Sequence, residues 1–259
     1  MKYNISPVGD SALSISFGNA IDPLINDQVL YAAQLIADAG YKSIIELIPA
    51  YCTLTVVYSP EISDCEYLEM MINMLLRNVK DVPKAKGRQV TIPVCYGGDY
   101  GPDMKNVADH TGLNPDEIIS LHSSVSYRVY MLGFLAGFPY LGGLDKRLAT
   151  PRLAKPRLSI EAGSVGIAGM QTGVYSISSP GGWQLIGRTP LKLYDPTSDK
   201  PSLLAAGDMI HFQPITSSEF QELSSASDIA AAAYGDTATA NASCSKTLTA
   251  DSGTAEVIK

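Results

Sequence analysis

His122 and Arg188 are the side chains of this sequence best suited to handle protons and anions. His122 closes a predicted helix and is followed by Ser123 and Ser124. An imidazole at such a place serves as a helix C-terminal cation, a packed core residue, or an acid, base or ligand contact; the last makes it a candidate catalytic residue. Arg188 stands in the run Ile186-Gly187-Arg188-Thr189-Pro190. A guanidinium can meet a carboxylate or phosphate with two parallel hydrogen bonds, so Arg188 is the best single anion-binding candidate and the second catalytic one. Between them runs GSVGIAGMQTG, residues 163–173, with Gln171 and Thr172 as its polar ligand contacts. Its glycines invite a phosphate-loop reading, but no Gly-Lys-Ser/Thr ending, no G-x-G-x-x-G spacing and no following helix pattern supports one. The stretch therefore reads either as backbone that approaches a ligand or as a set of barrel corners.

SSPGGW, residues 178–183, reads as a type II turn with Pro180 second and Gly181 third, and Gly182 adds latitude. Gly181 and Gly182 would let backbone approach a ligand. The single tryptophan, Trp183, with Phe138 and Tyr140 would supply an apolar wall, although aromatic residues are more commonly core. Lys146, Arg147, Arg152, Lys155 and Arg157 form a basic run without an acid between Asp145 and Glu161. Such a run is a solvated loop, or a surface for an anion or acidic partner. No metal is expected, because His110 and His211 have no Cys or acid at ligand spacing. Cys52, Cys65, Cys95 and Cys244 likewise show no paired spacing for zinc, a redox dithiol or disulfides.

The elements that must carry these residues fall into two sets. Strand Ser11 to Phe17 is followed by Asp22-Pro23, an N-cap with proline at the first helical position, and by Ile25, Val29, Ala32 and Ile36 at helical spacing up to Gly40. Ile44 to Ile48 and Leu54 to Tyr58 read as strands. Ser63-x-x-Glu66 reads as a capping box before a helix with Leu68, Met71, Ile72, Leu75 and Leu76 on one face, where Met70, Met71 and Met74 are expected in core packing. This set, residues 1–84, predicts a ferredoxin-like α/β sandwich, and Pro83 to Gly87 a linker. The second set, residues 88–223, starts with strand Gln89 to Tyr96 and two short helices capped by Asp103 and Asn114. It continues as short strands between glycine turns: Tyr127 to Leu132, Ser164 to Ala168, Gly173 to Ser178, Trp183 to Gly187, Leu191 to Tyr194 and Met209 to Phe212. Half of the 22 glycines lie between Tyr127 and Tyr194. That pattern predicts a β-barrel, so the whole chain falls in the α+β class. Residues 224–259, rich in Ala, Ser and Thr, are expected to be a disordered tail without assigned function.

With 259 residues, 46% hydrophobic and 17% charged, the chain can bury a substantial core. Nineteen basic against 26 acidic residues leave a net charge of −7, which disfavours nucleic acid or an anionic membrane as main partner. No apolar run is long enough for a membrane helix, and the first ten residues lack a secretion pattern, so a cytoplasmic location is expected.

The ordered strings HSS, GFPYLGGL, TPR, AGSVGIAG, QTG and SPGGWQLIGRTPL, from His122 to Leu191, resemble the family that includes the B-type subunit of ATP-dependent 5-oxoprolinase, the KipI-type inhibitors of a sensor histidine kinase, and subunit 1 of allophanate hydrolase. The resemblance extends over residues 1 to 215. It implies a cyclophilin-like barrel after the N-terminal domain, and partners that are the C-type (KipA-like) and A-type subunits of 5-oxoprolinase. It also implies ATP as co-substrate, whose hydrolysis drives opening of the 5-oxo-L-proline ring to L-glutamate. The alternatives it leaves open are binding to a sensor kinase and a role in urea or allophanate metabolism. Two departures stand out: Leu135-Ala136 where relatives often read Ala-Pro, and Glu161-Ala162 where they often read Pro-Ala, the latter changing the charge beside the basic loop.

Overall fold

The computed structural model describes residues 1–225; the stretch from 226 on, most of the expected tail, lies outside the described residues. The first part comprises strands Asn4–Val8 (β1) and Ala12–Ser16 (β2), helix Pro23–Asp38 (α1), strands Ile44–Pro49 (β3) and Thr53–Tyr58 (β4), and helix Cys65–Leu76 (α2). The sheet order is β1-β2-β4-β3, with every neighbouring pair antiparallel. Alternate residues Leu13, Ile15, Leu54 and Val56 turn inward against Val29, Ile36, Leu68 and Ile72 of the helices, as period-2 strands and period-3.6 helices require. Asp22 caps α1 by accepting from the Leu24 and Ile25 amides. The cap of α2 is Asp64, which accepts from the Tyr67 amide at 2.7 Å, one residue later than the Ser63 box expected.

Helices on an antiparallel sheet are what the sequence predicted, but the chain order departs from a ferredoxin-like unit. The edge beside β2 is filled by β1, at the N-terminus, and not by a strand following the second helix. β1 left little trace in the sequence because Asn4, Ser6 and Pro7 belong to an exposed edge, where proline is tolerated. Met70 and Met74 are not core residues: they are 50% and 65% exposed on α2, with Tyr67 one turn before them.

After an irregular strap, residues 79–88, the second part begins with strand Gln89–Tyr96 (β5), helices Met104–Thr111 (α3) and Pro115–Ser123 (α4), and strands Ser126–Leu132 (β6) and Pro139–Gly142 (β7). It continues with Arg157–Ile160 (β8), Ser164–Ala168 (β9), Gln171–Val174 (β10), Ser179–Gly181 (β11), Gln184–Arg188 (β12) and Met209–Ile215 (β13), and ends with helix Ser217–Ser225 (α5). Seven strands close a barrel in the order β10-β7-β6-β13-β5-β12-β9, the ends joined by the β9–β10 hairpin. β13 runs parallel to β5 and antiparallel to β6. Val90, Ile92, Tyr127, Val165, Ile210 and Phe212 belong to the core inside it.

β8 and β11 form a separate two-stranded arm. SSPGGW is thus not a type II turn: Ser179–Gly181 is a strand, and neither Gly181 nor Gly182 has positive φ. Between arm and barrel lies a smaller core of Phe138, Ile160, Tyr175, Trp183 and Leu185. The expected strand from Leu191 to Tyr194 is absent; only an isolated bridge joins Tyr194 to Ser202.

Candidate functional site in the barrel and at the seam

His122, at the C-terminal end of α4, is fully buried. Its ring stacks on Phe212 at 4.6 Å between centroids and lies beside Tyr127. The Thr172 hydroxyl donates to the Gly166 carbonyl at 3.0 Å, so it accepts from His122 Nε2–H at 2.8 Å, and Tyr96 then donates its hydroxyl proton to Nδ1 at 2.8 Å. Every member of the chain Tyr96, His122, Thr172 and Gly166 is satisfied, as a buried polar group must be. Burial pushes the imidazole down to about 3, so it is neutral at physiological pH.

Strand alternation separates the remaining candidates. Thr172 points into the barrel, whereas its neighbour Gln171 points out and donates from Nε2 to the Tyr51 hydroxyl at 2.5 Å. Tyr51, in the β3–β4 turn, packs against Tyr130 and Tyr140, and burial pushes its hydroxyl up to about 12. Arg188 pairs in register with Cys95, while Gly187 faces Tyr96. The structure therefore places Arg188 and His122 on opposite faces of the same wall. The Arg188 guanidinium pairs with Glu161 and lies over the contacting rings of Tyr100 and Phe220, 5.0 and 5.5 Å from their centroids, and its Nε is buried without a partner. Glu161, the departure noted in the sequence, is thus the counter-ion of the anion candidate.

Phe138 and Trp183 are buried edge to face at 5.5 Å in the smaller core, together with Tyr175. At Gly181 an added Cβ would lie 2.3 Å from the Tyr175 hydroxyl, so this glycine makes room for core packing. At Gly182 the neighbouring atoms lie at ordinary contact distance. The basic run divides: Arg147 pairs with Asp145 and Arg157 with Asp103, while Lys146, Arg152 and Lys155 remain exposed. Among the described residues no group of three or more His, Cys, Asp or Glu side chains could hold a metal ion, and no helix is long and apolar enough to cross a membrane.

Sequence reasoning missed the seam where the first part meets the barrel. Asn26 and Asp27, both buried, sit on α1. Asn26 Nδ2 donates to the carbonyls of Ala50 and Tyr130, each at 3.1 Å. Arg128 of β6 donates from Nε to Asn26 Oδ1 at 3.0 Å and from Nη2 to Asp27 Oδ1 at 2.6 Å, and its guanidinium lies 5.7 Å from the Tyr130 ring centre. The one available signal was a charge inside the otherwise apolar strand YRVYML.

Comparison with known proteins places this arrangement. The family described as carboxyltransferase domain, subdomain C and D, matches residues 3–204. The chain is 46% identical to the B-type subunit of 5-oxoprolinase from Bacillus subtilis over 230 residues, covering 85% of this chain and 96% of that protein. It is 42% identical to the corresponding protein of Escherichia coli O157:H7, covering 80% and 94%. It belongs to the carboxyltransferase C and D subdomain family. The solved structure of TTHA0988 superposes with a TM-score of 0.71 at 34% identity, over 79% of this chain and 40% of that one, so this chain spans less than half of TTHA0988. The PH0987 protein of Pyrococcus horikoshii, 49% identical over 84% of this chain and 100% of its own, superposes with a TM-score of 0.51. The family match runs across the strap, so it takes in α1 and β6 and with them the seam residues Asn26, Asp27 and Arg128.

Proposed function

We propose that this chain works as the B-type subunit of a 5-oxoprolinase, contributing to the ATP-driven opening of 5-oxo-L-proline to L-glutamate together with partners of the A and C types. The observation that supports it is identity of 42–46% along 94–96% of the length of the two B-type relatives. The barrel is read as cyclophilin-like, its rim completed by the C-type partner, and the assembly as cytoplasmic.

A lactam is a poor electrophile, and phosphorylation of its oxygen turns that oxygen into a leaving group; positioned donors and cations serve such chemistry. ATP is the co-substrate of the assembly. The described residues of this chain do not suit a triphosphate: the glycine-rich segment runs as the paired strands β9 and β10, and Arg128, Arg157 and Arg188 each face a carboxylate. In this reading the triphosphate is held by a partner and not by this chain.

In this reading His122, neutral and enclosed, is a positioning residue. It fixes Thr172 and so the register in which β10 presents Gln171 to the outside. Arg188 is the rim cation available to an anion that displaces Glu161. The test is 5-oxo-L-proline-dependent ATP hydrolysis by this chain purified with its A-type and C-type partners; no turnover with all three present would sink the reading. A sensor-kinase inhibitor would instead lower autophosphorylation on its own.

A further inference from the structure

We propose that Arg128 is a binding residue for the carboxylate of a small amide acid, and that Asp27 and Asn26 occupy it as an internal stand-in that leaves when the sheet unit swings on the 79–88 strap. The proposal rests on the function above, since 5-oxo-L-proline carries both a carboxylate and an amide oxygen. Those are the two acceptors that Arg128 holds here: the Asp27 carboxylate at 2.6 Å and the Asn26 carboxamide oxygen at 3.0 Å. Both come from α1, across the seam, while Arg128 is rooted in the barrel and backed there by the Tyr130 ring. Departure of α1 would leave an arginine fork on an aromatic platform with its acceptors removed, which is a carboxylate site.

The seam is built to part. Deleting one member of a buried ion pair strands a charge, but separating the two parts returns both ions to water or to a replacement partner. Contacts between units of one chain resemble transient interfaces, where relative motion is the default. The strap is irregular over residues 79–88 and tied to the same carboxylate, the Ala85 amide donating to Asp27 Oδ1 at 3.1 Å, so release of Asp27 loosens the strap, and full parting also breaks Asn26 from the Tyr130 carbonyl and Tyr51 from Gln171.

The two solved relatives differ in how closely the whole chain superposes on them. The Pyrococcus horikoshii protein is more identical to this chain than TTHA0988 is, 49% against 34%, and is matched over more of it, yet its whole-chain TM-score is lower, 0.51 against 0.71. The whole chain thus superposes less closely on the Pyrococcus horikoshii protein than on TTHA0988.

The experiment compares the wild-type three-component assembly with Asp27→Asn, which keeps shape and acceptor oxygen but removes the competing charge. The expected result is a several-fold lower KM for 5-oxo-L-proline, with Arg128→Gln shifting KM upward at least as far. A purely structural clamp would do the opposite in Asp27→Asn, so an unchanged or higher KM overturns the proposal. Should that variant aggregate, small-angle scattering of the wild-type chain with and without saturating 5-oxo-L-proline decides: a larger maximum dimension with ligand is expected, and no change overturns it. Absence of wild-type turnover would fault the oxoprolinase reading instead, and the scattering result would still judge the seam.

Discussion

Thr172 joins the two ends of the buried polar chain, accepting from His122 and donating to Gly166. Thr172→Val keeps the shape but leaves the imidazole N–H and the Gly166 carbonyl without partners. At about 1–3 kcal/mol for each stranded group, it should lower the unfolding free energy by about 2–6 kcal/mol, read from the urea midpoint. His122 adds a pH dependence whose sign is fixed. Its folded pKa, about 3, lies below the ordinary 6.5, so between those values the unfolded chain binds a proton that the fold excludes. Stability is therefore full above about pH 6.5 and falls as the pH drops, by up to about 1.4 kcal/mol per unit. His122→Gln can still accept from Tyr96 and donate to Thr172, and should flatten this slope between pH 7 and 5 relative to wild type; equal slopes would show that the imidazole is not shielded. The histidine was visible in the sequence but its burial was not, because a helix end beside two serines suits an exposed cation as well as a core plug. Gln171 and Thr172 look like one polar pair in the string, and alternation places them on two sides of a wall.

At the scale of elements, Asp103 shows why capping rules alone misassign a side chain. It occupies the N-cap position of α3, yet it makes no cap bond; it accepts from the Leu185 amide of β12 at 2.7 Å and pairs with Arg157 of β8 at 2.7 Å. Helix, arm and barrel are thus pinned by one carboxylate. Asp103→Ala should cost about 3–5 kcal/mol, since it strands a half-buried guanidinium and a buried amide. Asp64→Ala, which removes only the exposed cap of α2, should cost about 1 kcal/mol. Similar losses in the two variants, measured by denaturant unfolding, would refute the tie. Strands with alternating β-branched residues, such as β4 and β5, were legible because both faces are dictated by burial. β11 was not, because Pro-Gly-Gly has the composition of a turn and becomes a strand only through pairing with β8, a contact the local string does not encode.

At the scale of the molecule, two of the places where apolar side chains are exposed bear on association. One is the outer face of α2, where Met74 is 65% exposed; the other is the barrel side, with Leu158 on the arm at 93% and Met170 in the β9–β10 turn at 49%. Helical spacing could not foretell the first, since a Met stripe has the same period whether it meets a core or solvent. Patches of this kind mark association surfaces, and a rim completed by a partner protein requires the barrel-side patch to be the covered one. Methionine oxidation can tell them apart. In the isolated chain, dilute peroxide should convert Met70, Met74 and Met170 readily and spare Met104, which is buried against the barrel core. In the three-component assembly Met170 should become protected while Met74 remains reactive, as followed by peptide mass spectrometry. Protection of Met74 with Met170 still reactive would move the partner to the sheet unit, and the β9–β10 turn around Met170 would then face solvent.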